Sequence, residues 1–202
     1  MYDQTKIKKS SAGYQVVSIN SELHSARVLY VDGEICHELA VNFVKALADL
    51  AIEDPNAPVE VIISSPGGEV DSGMAIYDAI EGFAGKVTTV CIGQAYSMAA
   101  IIFAAGEERL VMGHSRVMIH QPAVMSASGN TEQITAISDN LKKRQKQMVE
   151  ILAERCKKSV KEVAKAVEKE TYFAGEEAVA FGIATGTANF AEVFSKGGMR
   201  VC

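Results

Sequence analysis

No two of the four cysteines, Cys36, Cys91, Cys156 and Cys202, stand at CxxC spacing. That absence speaks against a zinc site and a disulfide framework, and scattered single thiols fit a reducing cytoplasm. Positive charge is not in surplus either: 20 Lys and Arg against 25 Asp and Glu leave a net charge of −5. With no lysine/arginine stripe, there is no field to attract nucleic acid, and KIKK near the start reads as a solvated edge. The opening residues, MYDQTKIKKSSAGY, lack the apolar core of a secretory signal, and nothing targets a membrane. Low-complexity segments, fixed-period repeats and linkers are also missing, which predicts one domain over 14–187 between a flexible segment at 1–13 and a loose tail at 188–202. The apolar fraction of 48% against 22% charged residues is that of a folded globular chain and excludes a disordered one.

What is present is a 20-residue uncharged stretch between Lys86 and Glu107. Its length would just allow a membrane span, but its composition changes midway. Val87 to Ile92 is a β-branched run suited to a buried strand, Gly93 breaks it, and Ser97 to Ala105 restarts as a helix-former run. A helix opening at Ser97 would set one hydroxyl at the end where backbone N–H groups lack intrahelical partners and negative charge is favoured. A nucleophilic serine needs that environment, because the carbonyl oxygen it attacks becomes an anion. An ordinary N-capping serine would read the same way on this stretch alone.

Along the rest of the chain, Tyr14–Asn20 and Arg27–Val31 read as short strands, and Glu38–Ile52 as a helix with Leu39, Phe43, Leu47 and Leu50 on one face. Val59–Ser64 is a buried strand that runs into Ser65-Pro66-Gly67-Gly68, with a helix from Ser72 to Glu81. This βα turn has neither GxGxxG nor a P-loop lysine, which argues against a nucleotide site. Two glycines let the backbone lie flat beside a ligand and expose its N–H groups, serving a tight turn and an oxyanion hole alike. Arg109–Met112 and Arg116–His120 are predicted strands, the second ended by Gln121-Pro122. His120 at that strand end and His114 in the preceding turn are the two candidate bases. Asn130 opens a long helix to Cys156 with a Gln at capping-box spacing, and Ser159 opens a shorter one to Glu168. Thr171–Phe173 is extended, and Glu176–Phe181 is a helix stopped by Gly182.

Serine chemistry needs a base within reach, an acid to orient it and a pair of oxyanion donors. The elbow at Ser97 is not GxSxG, which argues against the lipase and esterase fold. The segments SSPGGEVDSGMAIYDAI, VCIGQAYSMAA, SRVMIHQP and EEAVAFGIA resemble the proteolytic subunit of the Clp protease, a family of self-compartmentalised serine peptidases. The resemblance implies an α/β fold of the ClpP/crotonase type, stacked β-β-α units with a projecting long helix. It implies Ser97 as nucleophile, His120 as general base, and the N–H groups of Gly68 and Met98 as oxyanion donors, with no metal or organic cofactor. It also implies a homo-oligomer of heptameric rings, single or stacked as a tetradecamer, acting on peptides or unfolded proteins in the cytoplasm.

Two departures stand out. The family's aspartate falls here on Glu170, in KETYFAG, with Glu168 as a neighbouring competitor. The strand before SSPGG carries Glu60 and Ile62 where the family keeps aromatic anchors for its hexameric AAA+ unfoldase, which speaks against a conventional ATPase partner. The same departures resemble Clp-like peptidases that process phage capsid or scaffold proteins. Two further alternatives are a crotonase-type acyl-CoA enzyme, which has no use for the Ser97–His120 pair, and a silent ring subunit, which would be expected to lose one of the two.

Overall fold

A computed structural model describes residues 4–11, 13–123 and 128–196. The chain opens with β1 (Thr5–Ser10) and β2 (Gly13–Ser18), an antiparallel hairpin that pairs Thr5 with Ser18 and Ser10 with Gly13. Within the segment 1–13, expected to be flexible, residues 5–10 form the first strand of this hairpin. Alternation along β1 sets Lys6 and Lys8 on one side, and both pair with Glu22 of α1 (Ile19–Ser25), at 2.9 and 3.2 Å. Residues 1–3 and 12 lie outside the described residues.

Alternating strands and helices follow: β3 (Val28–Asp32), α2 (His37–Glu53), β4 (Val59–Ser65), α3 (Val70–Glu81), β5 (Val87–Tyr96), α4 (Met98–Ala105) and β6 (Glu108–Met112). Then come β7 (Arg116–Ile119), α5 (Thr131–Cys156), α6 (Val160–Val167), β8 (Thr171–Ala174), α7 (Glu176–Phe181), β9 (Gly186–Ala188) and α8 (Phe190–Lys196). The sheet runs β3-β4-β5-β6-β9, all parallel. β7 joins β5 in parallel, and β8 returns antiparallel beside β7. This is the α/β architecture expected from the sequence. Among the described residues, no helix is long and apolar enough to cross a membrane.

Residue alternation divides the core between the two faces of the sheet. Val59, Val61 and Ile63 of β4 point into the main core with Phe43, Leu47 and Ile76 from α2 and α3. All eight residues of α4 are buried there, as expected of a helix apolar on every side. Ile62 and Val90 point to the other face and meet Val28 and Val193. Val193 belongs to α8, so within the tail expected from residue 188 the chain forms a helix that packs on this outer face. Its start is fixed by Asn189, whose side chain accepts from the Glu192 N–H at 3.0 Å while Glu192 accepts from the Asn189 N–H at 2.9 Å. That capping box satisfies two donors that would otherwise lack partners. Residues 197–202 lie outside the described residues.

The expected break at Gly93 is a change of partner rather than an end. β5 pairs with β6 over Thr88–Cys91 and with β7 over Gln94–Tyr96. Gly93 stands between the two ladders at φ +72° and donates its N–H to the Ser115 hydroxyl at 2.7 Å. A positive φ costs glycine little, so the strand turns from one neighbour to the other without ending. Beneath the sheet, the buried Arg109 donates to the carbonyls of Gly106, Arg155, Gly182 and Ile183 at 2.9–3.3 Å. Three of these lie at the C-terminal ends of α4, α5 and α7, where carbonyls carry partial negative charge. One guanidinium thus ties the C-terminal ends of three helices together.

Candidate active site

The site is assembled at the ends of three neighbouring strands. β5 delivers Ser97, whose N–H continues the ladder by donating to the Met118 carbonyl at 2.9 Å. Ser97 itself sits at φ 57°, ψ −122°, a conformation that costs a side-chain-bearing residue strain and persists only where surrounding structure enforces it. The turn it makes sends the chain straight into α4 and points the hydroxyl out of the sheet. β7 delivers His120, the residue after Ile119, and Pro122 prevents the strand from continuing. Nε2 of His120 lies 2.7 Å from the Ser97 oxygen, with the hydroxyl donating when the ring carries its proton on Nδ1.

β8 delivers Glu170. The β7–β8 ladder pairs Met118 with Tyr172 and Ile119 with Thr171, so the next antiparallel pair is His120 and Glu170. The Glu170 carboxylate accepts from the Tyr172 hydroxyl at 3.0 Å, and among the described residues no carboxylate is hydrogen-bonded to His120. Glu168, the competing acid, is the exposed C-cap of α6. His114 is exposed in the turn at the opposite end of β7 from Ser97.

The glycine turn closes over the elbow. Gly67, at φ +99°, is so near that a Cβ on it would fall 2.7 Å from the Ser97 Cβ and 3.2 Å from the Met98 nitrogen. Gly68, at φ +150°, packs on Ile35, where a Cβ would come 2.2 Å from the carbonyl oxygen. The bridge to Ile35 uses the Gly67 carbonyl and the Glu69 N–H, at 2.8 and 2.9 Å. It leaves the Gly68 N–H out. Met98 is the first residue of α4, where a helix N–H has no acceptor one turn back. The structure thus brings the two expected oxyanion donors to either side of Gly67.

A narrow apolar cavity of about 10 Å³ opens beside Ser97 and His120, walled by Ile101, Met148, Val149 and Leu152. Pro122 lines both this cavity and a wide groove of about 700 Å³ between α3 and α5. Across that groove Arg144 pairs with Asp71 at 2.6 Å. No group of three or more His, Cys, Asp or Glu side chains gathers among the described residues. Burial pushes the Cys91 thiol up to about 12 and that of Cys156 to about 11, so neither supplies a thiolate nucleophile at neutral pH.

Tyr172, the hydrogen-bond partner of Glu170, is not among the residues singled out from the sequence. Its signal was present: residues two apart on a strand share a face, which sets the Tyr172 phenol beside the Glu170 carboxylate. A model of the Clp protease family matches residues 10–189, a span that holds every element from β2 to β9 and with them the whole of this site. The chain belongs to the Clp protease family, and its general activity is that of a peptidase.

Proposed function

We propose that this chain is a serine endopeptidase that cleaves peptides and unfolded polypeptides through an acyl-enzyme on Ser97. The observation that carries this reading is the 2.7 Å contact between the Ser97 hydroxyl and Nε2 of His120 at the opening of α4. His120 takes the hydroxyl proton as Oγ attacks the substrate carbonyl, and the resulting oxyanion is met by the N–H groups of Gly68 and Met98. His120 then returns the proton to the leaving amine, which departs and leaves an ester on Ser97. Water attacks that ester with His120 again as base, and the carboxylate product is released. Glu170, across from His120, favours the Nδ1–H tautomer and offsets the charge of the imidazolium. The apolar cavity takes the side chain preceding the scissile bond, and the groove along α5 takes the extended substrate.

The same reading encloses the site in homo-oligomeric rings, of seven subunits or two such rings stacked. Support comes from α5, whose buried residues begin only at Met148, seventeen residues after the helix starts, while Ile134 is 45% exposed. Peptides and loosely folded chains are the natural substrates, because the outer face of the sheet carries Glu60 and is partly covered by α8, through Val193 on Ile62 and Val90. Within β4 that face carries Glu60 and Ile62 in place of aromatic anchors of the kind that dominate interface energies. Stably folded proteins should therefore resist cleavage, with or without ATP.

Ser97→Ala decides the central point. The variant should lose cleavage of short peptides and labelling by a fluorophosphonate probe while its circular dichroism is unchanged. Normal turnover by Ser97→Ala would sink the assignment.

A further inference from the structure

We propose that Tyr172 is a positioning residue for the reaction, its hydroxyl restraining the Glu170 carboxylate at the strand position opposite His120, where one oxygen stays available to the imidazole. This rests on the serine-peptidase reading and adds a residue to it. Glu170 stands one position beyond the last pair of the β7–β8 ladder, opposite His120, but it is exposed and has three rotatable side-chain bonds. An unrestrained side chain of that kind spends little time at any one acceptor position.

Tyr172 supplies the restraint. Its hydroxyl donates to Oε2 of Glu170 at 3.0 Å. A carboxylate accepts at both oxygens, so Oε1 is left for the Nδ1–H of His120. The phenol is itself braced: its ring stands edge-on to Tyr96, with centroids 5.5 Å apart and planes at 89°. Such edge-to-face pairs are favourable and directional. Tyr96 directly precedes Ser97, and both tyrosines pair with Met118 from opposite sides of β7. The nucleophile's strand, the base's strand and the acid's strand are thereby spanned by one row of side chains. Substituting glutamate for aspartate lengthens the acid by one methylene, and the hydroxyl two residues on fixes where the longer side chain ends.

The test is a double-mutant cycle on Tyr172→Phe and Glu170→Gln, read by hydrolysis of a capped fluorogenic tetrapeptide. Phenylalanine keeps the edge-on ring contact and removes only the donor. Tyr172→Phe should lower kcat by about tenfold, the scale of one hydrogen bond to a charged group, with KM changed by less than about twofold. The acid limb of its kcat/KM profile should move to lower pH, because a wandering carboxylate stabilises the imidazolium less. In the Glu170→Gln background the same change should alter kcat by less than about twofold, since the tyrosine acts only through the acid. Unchanged or increased kcat in Tyr172→Phe overturns the proposal, an increase meaning that the hydroxyl holds Glu170 away from His120. Equal losses in both backgrounds also overturn it, by assigning Tyr172 to packing. Ser97→Ala is run alongside. Activity there would overturn the serine reading itself, whereas an inactive Ser97→Ala with a fully active Tyr172→Phe removes only the role of Tyr172.

Discussion

Gly67 lies against Ser97 so closely that a methyl group on it would meet the serine's own Cβ at 2.7 Å. The contact couples two features far apart in sequence, the diglycine turn after β4 and the elbow after β5. It also sets the glycine turn against the first residue of α4, where the proposed reaction would develop its oxyanion. Gly67→Ala is therefore expected to cut kcat/KM by ~100-fold or more, since displacement of reacting groups by about 1 Å has that effect. Gly113 has open space around it, and Gly113→Ala should retain wild-type activity. Equal activities of the two variants would show that the turn does not shape the site.

The cavity beside Ser97 is too narrow for a large side chain. A library of peptides varied at the residue before the scissile bond should show a preference for small apolar residues. Met148→Ala removes three heavy atoms from one wall and should shift that preference toward leucine and phenylalanine by about tenfold or more in relative kcat/KM, since even one methylene of apolar space discriminates on that scale. An unaltered profile would place the specificity pocket elsewhere.

Glu60 is the one described residue with a buried side-chain oxygen, Oε2, that lacks a hydrogen-bond partner. Burial, reinforced by the charge of Glu108, pushes its carboxyl above the usual range. The nearby cations are spent: Lys86 pairs with Glu108 at 2.7 Å, and Arg27 donates to the carbonyls of Leu50, Asp54, Ala57 and Pro58. A carboxyl whose folded pKa exceeds its unfolded value destabilises the fold as pH rises through the window between them. Below the unfolded value both states are protonated and the penalty vanishes. Glu60→Gln should thus be more stable than wild type at pH 7 by about 1 kcal/mol, about 2 °C in Tm. The difference should disappear near pH 4. A less stable Glu60→Gln at pH 7 would mean that the ionised carboxylate has a partner in solution.

Size-exclusion chromatography with light scattering should find rings at micromolar concentration, either heptamers or tetradecamers. Ile134→Glu places a charge on the exposed half of α5 and should weaken any contact made there, shifting tetradecamers toward heptamers. A wild-type monomer would contradict the ring reading, because the apolar residues in that half of the helix would then face water.

Local sequence determined most of the element types and marked the elbow and the strand end where Ser97 and His120 stand. The uncharged stretch from Val87 to Gly106 had to be buried, and its change from β-branched residues to helix formers located the elbow at Ser97. Pro122 stopped β7 where His120 stands, and capping residues marked α5 and α6. These signals are short-range, set by side-chain entropy, backbone sterics and the acceptors a helix end requires. The capping box at Asn189 and Glu192 was equally local, and α8 follows from it.

Which residues meet was decided by pairing over long distances. Gly93 reads as a strand breaker, yet the structure uses it to pass β5 from β6 to β7, because ladder bonds on both sides outweigh a local break. Glu170 and Glu168 are equivalent as charges in a run. Only the antiparallel register of β7 with β8 sets Glu170 opposite His120 and leaves Glu168 exposed at a helix end. The approach of Gly67 to Ser97 and the bracing of Tyr172 by Tyr96 depend on strand order and twist, which arise from the packing of the whole sheet and are written in no single stretch of the chain.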